Sequence, residues 1–257
     1  MAKETAPAVL GNVMVPDLAW VAKVSEPALE PDLPIVDPHH HLWQRTGNDY
    51  LFHDLLADTQ TGHNIVGTVF VDCHSMYRKD GPAFREGFAE LAKRDLTFDA
   101  WLYHPQLGEI AELADAFPGT PIILDHVGGP LGYAGYAGRH DEVRAAWKKS
   151  MMELAKRQNI VVKVGGLGMA MGWFDFYQRP TPPGSQALAD AFKPWVETCI
   201  DLFGVDRCMF ESNFPVDKIT SGYGVLWNAF KRLAAKASAA EKTALFSGTA
   251  SRVYKLA

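Results

Sequence analysis

Six of the nine histidines, His39, His40, His41, His74, His104 and His126, stand just after short apolar runs. The runs end in Asp37-Pro38-His39-His40-His41, Asp72-Cys73-His74, Tyr103-His104, Asp125-His126 and Glu211-Ser212-Asn213. Apolar strands have no packing reason to end repeatedly in titratable residues, and in parallel α/β folds that rim is where ligands bind. His39 and His41 are two residues apart, so along a strand both side chains point to one face. Two imidazoles on one face can hold a divalent metal, and His126 at another strand end can supply a third nitrogen. Neutral imidazole suits zinc, and three protein ligands leave a position for water or a substrate carbonyl. Such a metal lowers the pKa of the water or polarises the carbonyl.

The other polar residues divide by position. His40 faces away from His39 and His41 and is expected to pack behind the site. His53, His63 and His140 fall in loops or at helix ends and are expected at the surface. Gly128-Gly129 reads as a tight turn. A serine nucleophile has no Gly-x-Ser-x-Gly elbow to sit on. Cys73 and His74 are adjacent, so on a strand they point to opposite faces and do not form a thiol–imidazole pair.

These residues need a scaffold that brings several strand ends to one mouth. The apolar runs Ile35–Asp37, Ile65–Asp72, Thr97–Tyr103, Pro121–Asp125, Ile160–Val164 and Arg207–Phe210 read as strands. Between them lie amphipathic stretches, Ala83–Arg94, Glu109–Phe117, Asp141–Gln158, Ser185–Phe203 and Gly224–Ala237, and a last helix, Ser238–Phe246, that opens on a capping-box spacing. Strands alternating with helices mean βαβ units and a parallel sheet, and the continuously apolar runs fit strands buried on both faces. A closed eight-stranded barrel needs two more strands than these six, and Phe174–Tyr177 is the one further stretch that could hide one. Residues 1–33, rich in proline, read as an extended arm, and 34–257 as one barrel domain. The long Gly/Pro-rich loop Gly165–Gly184 reads as functional.

Composition narrows the partners. A net charge of -5 without a basic run argues against nucleic acid and anionic membranes. Three cysteines without a Cys-x-x-Cys pair point to a reducing compartment, the cytoplasm. The first residues lack the pattern of a signal peptide, and no apolar stretch reaches the roughly 20 residues of a membrane helix. A small-molecule substrate is the expected partner, and the arm and short strand count leave room for a homo-oligomer.

Asp37-Pro38-His39-His40-His41-Leu42-Trp43, Asp125-His126-Val127-Gly128, Val162-Lys163-Val164-Gly165-Gly166-Leu167 and Phe210-Glu211-Ser212-Asn213-Phe214-Pro215 resemble the amidohydrolase-related (amidohydrolase 2) family, in family order from about Pro34 to Leu256. Its members include sugar lactonases and 2-pyrone-4,6-dicarboxylate lactonase, with nonoxidative decarboxylases of aromatic acids as more distant relatives. The resemblance implies a TIM-like (β/α)8 barrel of the metal-dependent hydrolase superfamily. It implies His39, His41 and His126 as metal ligands, and Asp where this chain has Asn213. Asn cannot take a proton at neutral pH, so Glu211 or Asp217 is expected to provide the missing carboxylate. His74, Tyr103, His104 and Lys163 are expected to contact substrate. Relatives carry a further strand between the matches to Gly81-Pro82 and Ala83-Phe84, so the barrel is expected to be short by one or more strands. The leading expectation is a lactone-opening hydrolase with a divalent metal, zinc first. A decarboxylase of an aromatic acid and a barrel without catalysis are the alternatives.

Overall fold

The computed structural model describes residues 13–45, 47–72 and 84–256. Cys73 and His74 lie outside the described residues. A short helix, α1 (Leu18–Val21), precedes β1 (Pro34–His40), α2 (Phe52–Thr59), β2 (Asn64–Phe70), α3 (Phe84–Lys93), β3 (Phe98–Ala100), α4 (Leu107–Ala116) and β4 (Ile122–Leu124). There follow α5 (His140–Leu154), β5 (Ile160–Val164), α6 (Ser185–Phe203), β6 (Cys208–Phe210), α7 (Tyr223–Leu233), α8 (Ala239–Thr243) and α9 (Thr249–Tyr254).

All pairings between these strands are parallel. β1 pairs with β2, and β3, β4, β5 and β6 form a second run in that order. The chain after β6 joins the two runs: Asn213 N–H donates to His39 O (3.0 Å) and His41 N–H to Phe214 O (2.8 Å). The wall is therefore β3-β4-β5-β6-β1-β2, with helices outside, the architecture of a (β/α) barrel. Among the described residues no strand joins β2 to β3, which agrees with the shortage read from the sequence. Val66 and Phe70 of β2 and Trp101 just past β3 are large apolar side chains exposed along the two rims of that gap. Phe174–Tyr177 adds no strand: Phe176–Gln178 is a single 3-10 turn in which the Gln178 N–H reaches back to Asp175 O.

The period of two along each strand divides the core into layers. Ile122, Leu124, Ile160, Val162, Val164, Cys208 and Phe210 face the helices and build the main core with residues such as Trp147, Trp195 and Trp227. Val36, Ile123, Val161 and Met209 face inward and pack on Ala250 and Val253, so α9 plugs the floor of the barrel. One inward position further along, at Asp125, Lys163 and Glu211, the lining changes from apolar to charged, and all three are buried. Alternation thus places a charged layer directly on an apolar floor.

The N-terminal segment is not extended throughout, since α1 lies within it. Residues 24–30 strap onto α6 and α7 of the same chain. Glu26 accepts from the Ser185 N–H (2.8 Å), Asn228 Oδ1 from the Leu29 N–H (2.7 Å), and Lys231 Nζ donates to Leu29 O (2.6 Å) and Glu30 O (2.8 Å). His63, expected at the surface, is buried against α7, where its ring meets Gly224 O (3.0 Å) and Lys231 Nζ (2.9 Å). His140 stays at the surface as expected, its side chain 43% exposed and edge-on to Trp173 at 4.7 Å between ring centroids. The capping box at α8 forms as its sequence spacing implies, Ser238 with Glu241.

Candidate active site

Asp37 anchors the site's framework. Its Oδ1 accepts the N–H of Ser212 (3.0 Å) and its Oδ2 the hydroxyl of Tyr223 (2.9 Å), which ties β1 to the chain after β6. From that seam His39 and His41 both turn inward. Their Nε2 atoms lie 3.2 Å apart. His41 Nδ1 sits 2.8 Å from Val71 O. A carbonyl only accepts, so Nδ1 carries the proton and Nε2 presents a lone pair toward His39. His39 Nδ1 lies 3.0 Å from Lys163 Nζ, which donates to it, and 3.3 Å from Glu211 Oε2 without a hydrogen bond.

His126 arrives from the end of β4 and packs 4.5 Å from the His39 ring, centroid to centroid. Glu211 Oε1 receives both its Nδ1 (2.8 Å) and its backbone N–H (3.1 Å). Glu211 Oε2 is buried without a hydrogen bond. His126 has φ of 54°, Val127 48° and Asn213 54°. Side chains in that left-handed region strain the backbone, and such residues gather at working sites.

The charged layer explains the protonation states. Burial holds His39 well below the ordinary imidazole range, and the nearby Lys163 and His126 charges add to it. Burial likewise lowers His41 to about 4. Both are neutral near pH 7, the form that binds metal. Burial works against charge on His126 too, but Glu211 outweighs it and His126 is raised. Burial raises the Glu211 carboxyl. Lys163 is fully buried, between Asp99 (2.9 Å) and Asp125 (3.0 Å). Burial opposes its charge, yet Asp125 holds it well above the ordinary lysine range.

Asn213 and Asp217 form a second pair. Asn213 Nδ2 donates to Asp217 Oδ1 (2.8 Å), and Gly168 N–H to Asp217 Oδ2 (2.8 Å). The Asn213 amide nitrogen thus faces Asp217. Asn213 Oδ1 then points the other way and is buried without a hydrogen bond. Burial pushes the Asp217 carboxyl up to about 7.

The fit to a metal can be tested on these atoms. A tetrahedral site with zinc–nitrogen bonds of 2.0–2.1 Å has nitrogens about 3.3 Å apart, and the His39–His41 separation is 3.2 Å. Ligand atoms of His39, His126 and Glu211 lie within 4.8 Å of one another. The imidazoles fit a divalent ion, and the unsatisfied Glu211 oxygen lies beside them. Glu211 lies close to His39 and His126, beside the imidazoles expected from the sequence.

His104 is buried, its Nδ1 3.3 Å from the Leu131 N–H that donates to it. Tyr103 is half-buried, with its ring 5.3 Å from Trp101. His40 turns away and meets Thr68 Oγ1 at 3.1 Å. Asp99 and Trp101 escaped the sequence reading. Their only signal was the alternation along β3, which puts Asp99 toward Lys163. Trp101 packs edge-on to His126 at 4.7 Å. At Gly166 (φ +65°) a Cβ would lie 2.4 Å from His126 Nδ1, so glycine lets the loop after β5 close on that ring.

Comparison with known proteins bears on the family and the fold. The chain is 39% identical over 180 residues to the uncharacterized protein y4mH of Sinorhizobium fredii, covering 68% of this chain and 52% of that one. It is 29% identical over 182 residues to the L-fucono-1,5-lactonase of Burkholderia multivorans, covering 69% and 57%. The chain thus spans about half the length of the curated relatives it matches. Among solved structures, a zinc-bound amidohydrolase from Burkholderia multivorans superposes with a TM-score of 0.69 at 21% identity, over 87% of this chain and 99% of that one. A putative 2-pyrone-4,6-dicarboxylic acid hydrolase from Pseudomonas putida gives 0.52 at 17% identity, over 87% and 98%. These structural likenesses share the fold. The amidohydrolase family model matches residues 66–256, and the chain belongs to the amidohydrolase family.

Proposed function

We propose that this protein is a hydrolase that opens a small lactone with water. One observation carries the reading: His39, His126 and Glu211, from the ends of β1, β4 and β6, meet within 4.8 Å at the mouth of a barrel whose floor is apolar. A divalent ion held there, zinc first, would lower the pKa of water and polarise a carbonyl.

The chain's own residues do the rest. Glu211 Oε2 is buried and free of hydrogen bonds. A carboxylate raised by burial is a stronger base than one in water, so Glu211 is the group placed to take the water's proton. Its other oxygen holds His126 in orientation. Asp217 fixes Asn213, which turns a neutral oxygen toward the imidazoles. Lys163, with Asp99 and Asp125, fixes the height of His39 above the floor. The lactonase name of the Burkholderia relative supports the choice of a cyclic ester as substrate.

The test is hydrolysis of a lactone panel by the zinc-loaded protein, beside Glu211→Gln. Glutamine keeps the shape and accepts no proton, so kcat falls by about a hundredfold or more. Unchanged kcat in that variant removes Glu211 as the base. Absence of turnover across the panel with zinc, manganese or cobalt overturns the function.

A further inference from the structure

The loop Gly165–Gly184 is pinned at its near end to the active site. A Cβ at Gly165 would lie 2.4 Å from Glu211 O, and one at Gly166 2.4 Å from His126 Nδ1. Glycine at both positions lets the backbone close on those residues. Gly168 N–H donates to Asp217 Oδ2 (2.8 Å), and Gly168 O accepts from Thr220 Oγ1 (2.7 Å). Asp217 in turn holds Asn213. The near end of the loop therefore borders Glu211 and His126 directly and reaches Asn213 through Asp217.

The far end is held from a distant part of the sequence. Pro180, Pro182 and Pro183 carry no N–H, so this stretch is poor in backbone donors of its own. Side chains three apart in the N-terminal segment serve it in order. Trp20 Nε1 donates to Arg179 O (2.8 Å), and Lys23 Nζ to Pro180 O (3.1 Å). Glu26 accepts from the N–H of Ser185 (2.8 Å) and from its hydroxyl. A carboxylate also suits the positive end of the 19-residue helix α6 that starts at Ser185. Lys23 is exposed, whereas Trp20 is buried. Losing the indole N–H would strand the Arg179 carbonyl where water is scarce.

Packed rings join the two ends. The Arg179 guanidinium lies 4.4 Å over the Phe176 ring, and Phe176 stacks on Phe174 at 5.6 Å. Phe174 and Gly166 border a common crevice with only about 10 Å³ of space, barely enough for one water. Close-packed groups pass a displacement on to their neighbours. A shift at Arg179 is thus carried through two rings to the backbone that lies against His126.

We infer that Trp20 and Glu26 are positioning residues for the active site. They hold the far end of the loop so that its near end keeps Gly166 on His126 and Gly168 on Asp217. The hold on the loop stands on contacts within the chain, and its effect on turnover rests on the hydrolase reading.

The experiment is hydrogen exchange by mass spectrometry on the full chain, comparing the wild type with Trp20→Phe and Glu26→Gln. Phenylalanine keeps a ring and loses the donor. Glutamine keeps the length and loses the charge. Exchange in peptides covering residues 166–172 should rise about tenfold in both variants, while peptides from β5 and α7 keep wild-type rates. Lys242→Gln breaks the ion pair to Glu30 in the same segment and touches none of the loop contacts, so it should leave the loop unchanged. If Trp20→Phe does not fold, Glu26→Gln decides. Loop exchange equal in the wild type and the variants, complete at the first time point in the wild type, or raised equally across β5 and α7 overturns the inference. So does an equal rise in Lys242→Gln. On a lactone that the zinc-loaded protein opens, Trp20→Phe should lower kcat about threefold and leave KM within about twofold, since Trp20 acts through the loop. An unchanged kcat beside a loosened loop overturns the positioning role. A wild type that opens no lactone overturns the hydrolase reading instead, and the exchange rates still decide whether Trp20 and Glu26 hold the loop.

Discussion

His39 Nε2 faces His41 Nε2 across 3.2 Å, and the Val71 carbonyl commits His41 to presenting a lone pair there. Two lone pairs at that distance repel, so a proton or a metal ion must lie between the rings. Dialysis against zinc should therefore load about one ion per chain. His39→Ala should reduce loading to near zero. His40→Ala should keep it, because His40 turns away to Thr68. Bound zinc at a hundredfold excess over Kd adds about 2.7 kcal/mol of stability, so the metal also raises Tm. Metal content by mass spectrometry decides the matter: equal loading in the wild type and His39→Ala would place the metal elsewhere.

The Asn213–Asp217 pair makes a second prediction. Asn213→Asp sets a carboxylate 2.8 Å from Asp217 with no donor between them. Two such groups cannot both ionise. The single variant should lose about 1–3 kcal/mol of stability at neutral pH. Combining it with Asp217→Asn restores one amide and one carboxylate and should recover part of that loss. The double-mutant cycle should show coupling above about 1 kcal/mol. Additive effects in urea unfolding would mean that the two side chains do not communicate.

Much of this site could be read from spacing alone. His39 and His41 share a face because a strand alternates, and the same rule puts Asp125, Lys163 and Glu211 one inward step beyond Ile123, Val161 and Met209. Contacts made across long stretches of chain could not be read. His63 looked like a loop residue because its partner, Lys231, lies 168 positions away on α7. Lys163 looked like a substrate contact because nothing local shows that Asp99 and Asp125 both bind it. The Asn213–Asp217 bond depends on a turn that brings residues four apart together, and the sequence shows only that both are polar. Phe174–Tyr177 looked strand-like because its aromatic residues fit a strand, but Phe174 packs on Phe192 of α6 and stacks on Phe176 instead.

Lys163 supports a third prediction. It is fully buried, with two carboxylates about it. Lys163→Met keeps the volume and leaves Asp125 charged in the barrel interior with its principal partner gone. Breaking a buried ion pair from one side costs about 3–5 kcal/mol, a fall in Tm on the order of 10 °C for a domain this size. Adding Asp125→Asn should return part of the loss, since it removes the stranded charge. Calorimetric scans of the three variants test this. A Lys163→Met protein as stable as the wild type would show that the charged layer contributes nothing net to the fold.

His63 predicts how stability varies with pH away from the active site. Burial, with the Lys231 ammonium adding to it, lowers His63 to about 4 in the folded protein, against about 6.5 in an unfolded chain. The unfolded state therefore binds a proton that the folded state refuses. Stability from this group is fully present above pH 6.5 and is lost as pH falls from 6.5 toward 4. The physical reason is local. Protonated His63 would place a second positive charge 2.9 Å from Lys231 Nζ, beneath the strap formed by Leu29 and Glu30. His63→Gln can still accept from Lys231 and donate to Gly224 O, but it does not titrate. Urea unfolding free energies at pH 7, 6, 5 and 4.5 should fall more steeply for the wild type than for His63→Gln, by up to about 1.4 kcal/mol per pH unit. The difference should close above pH 7, and parallel curves through this range would rule His63 out as the source of acid lability.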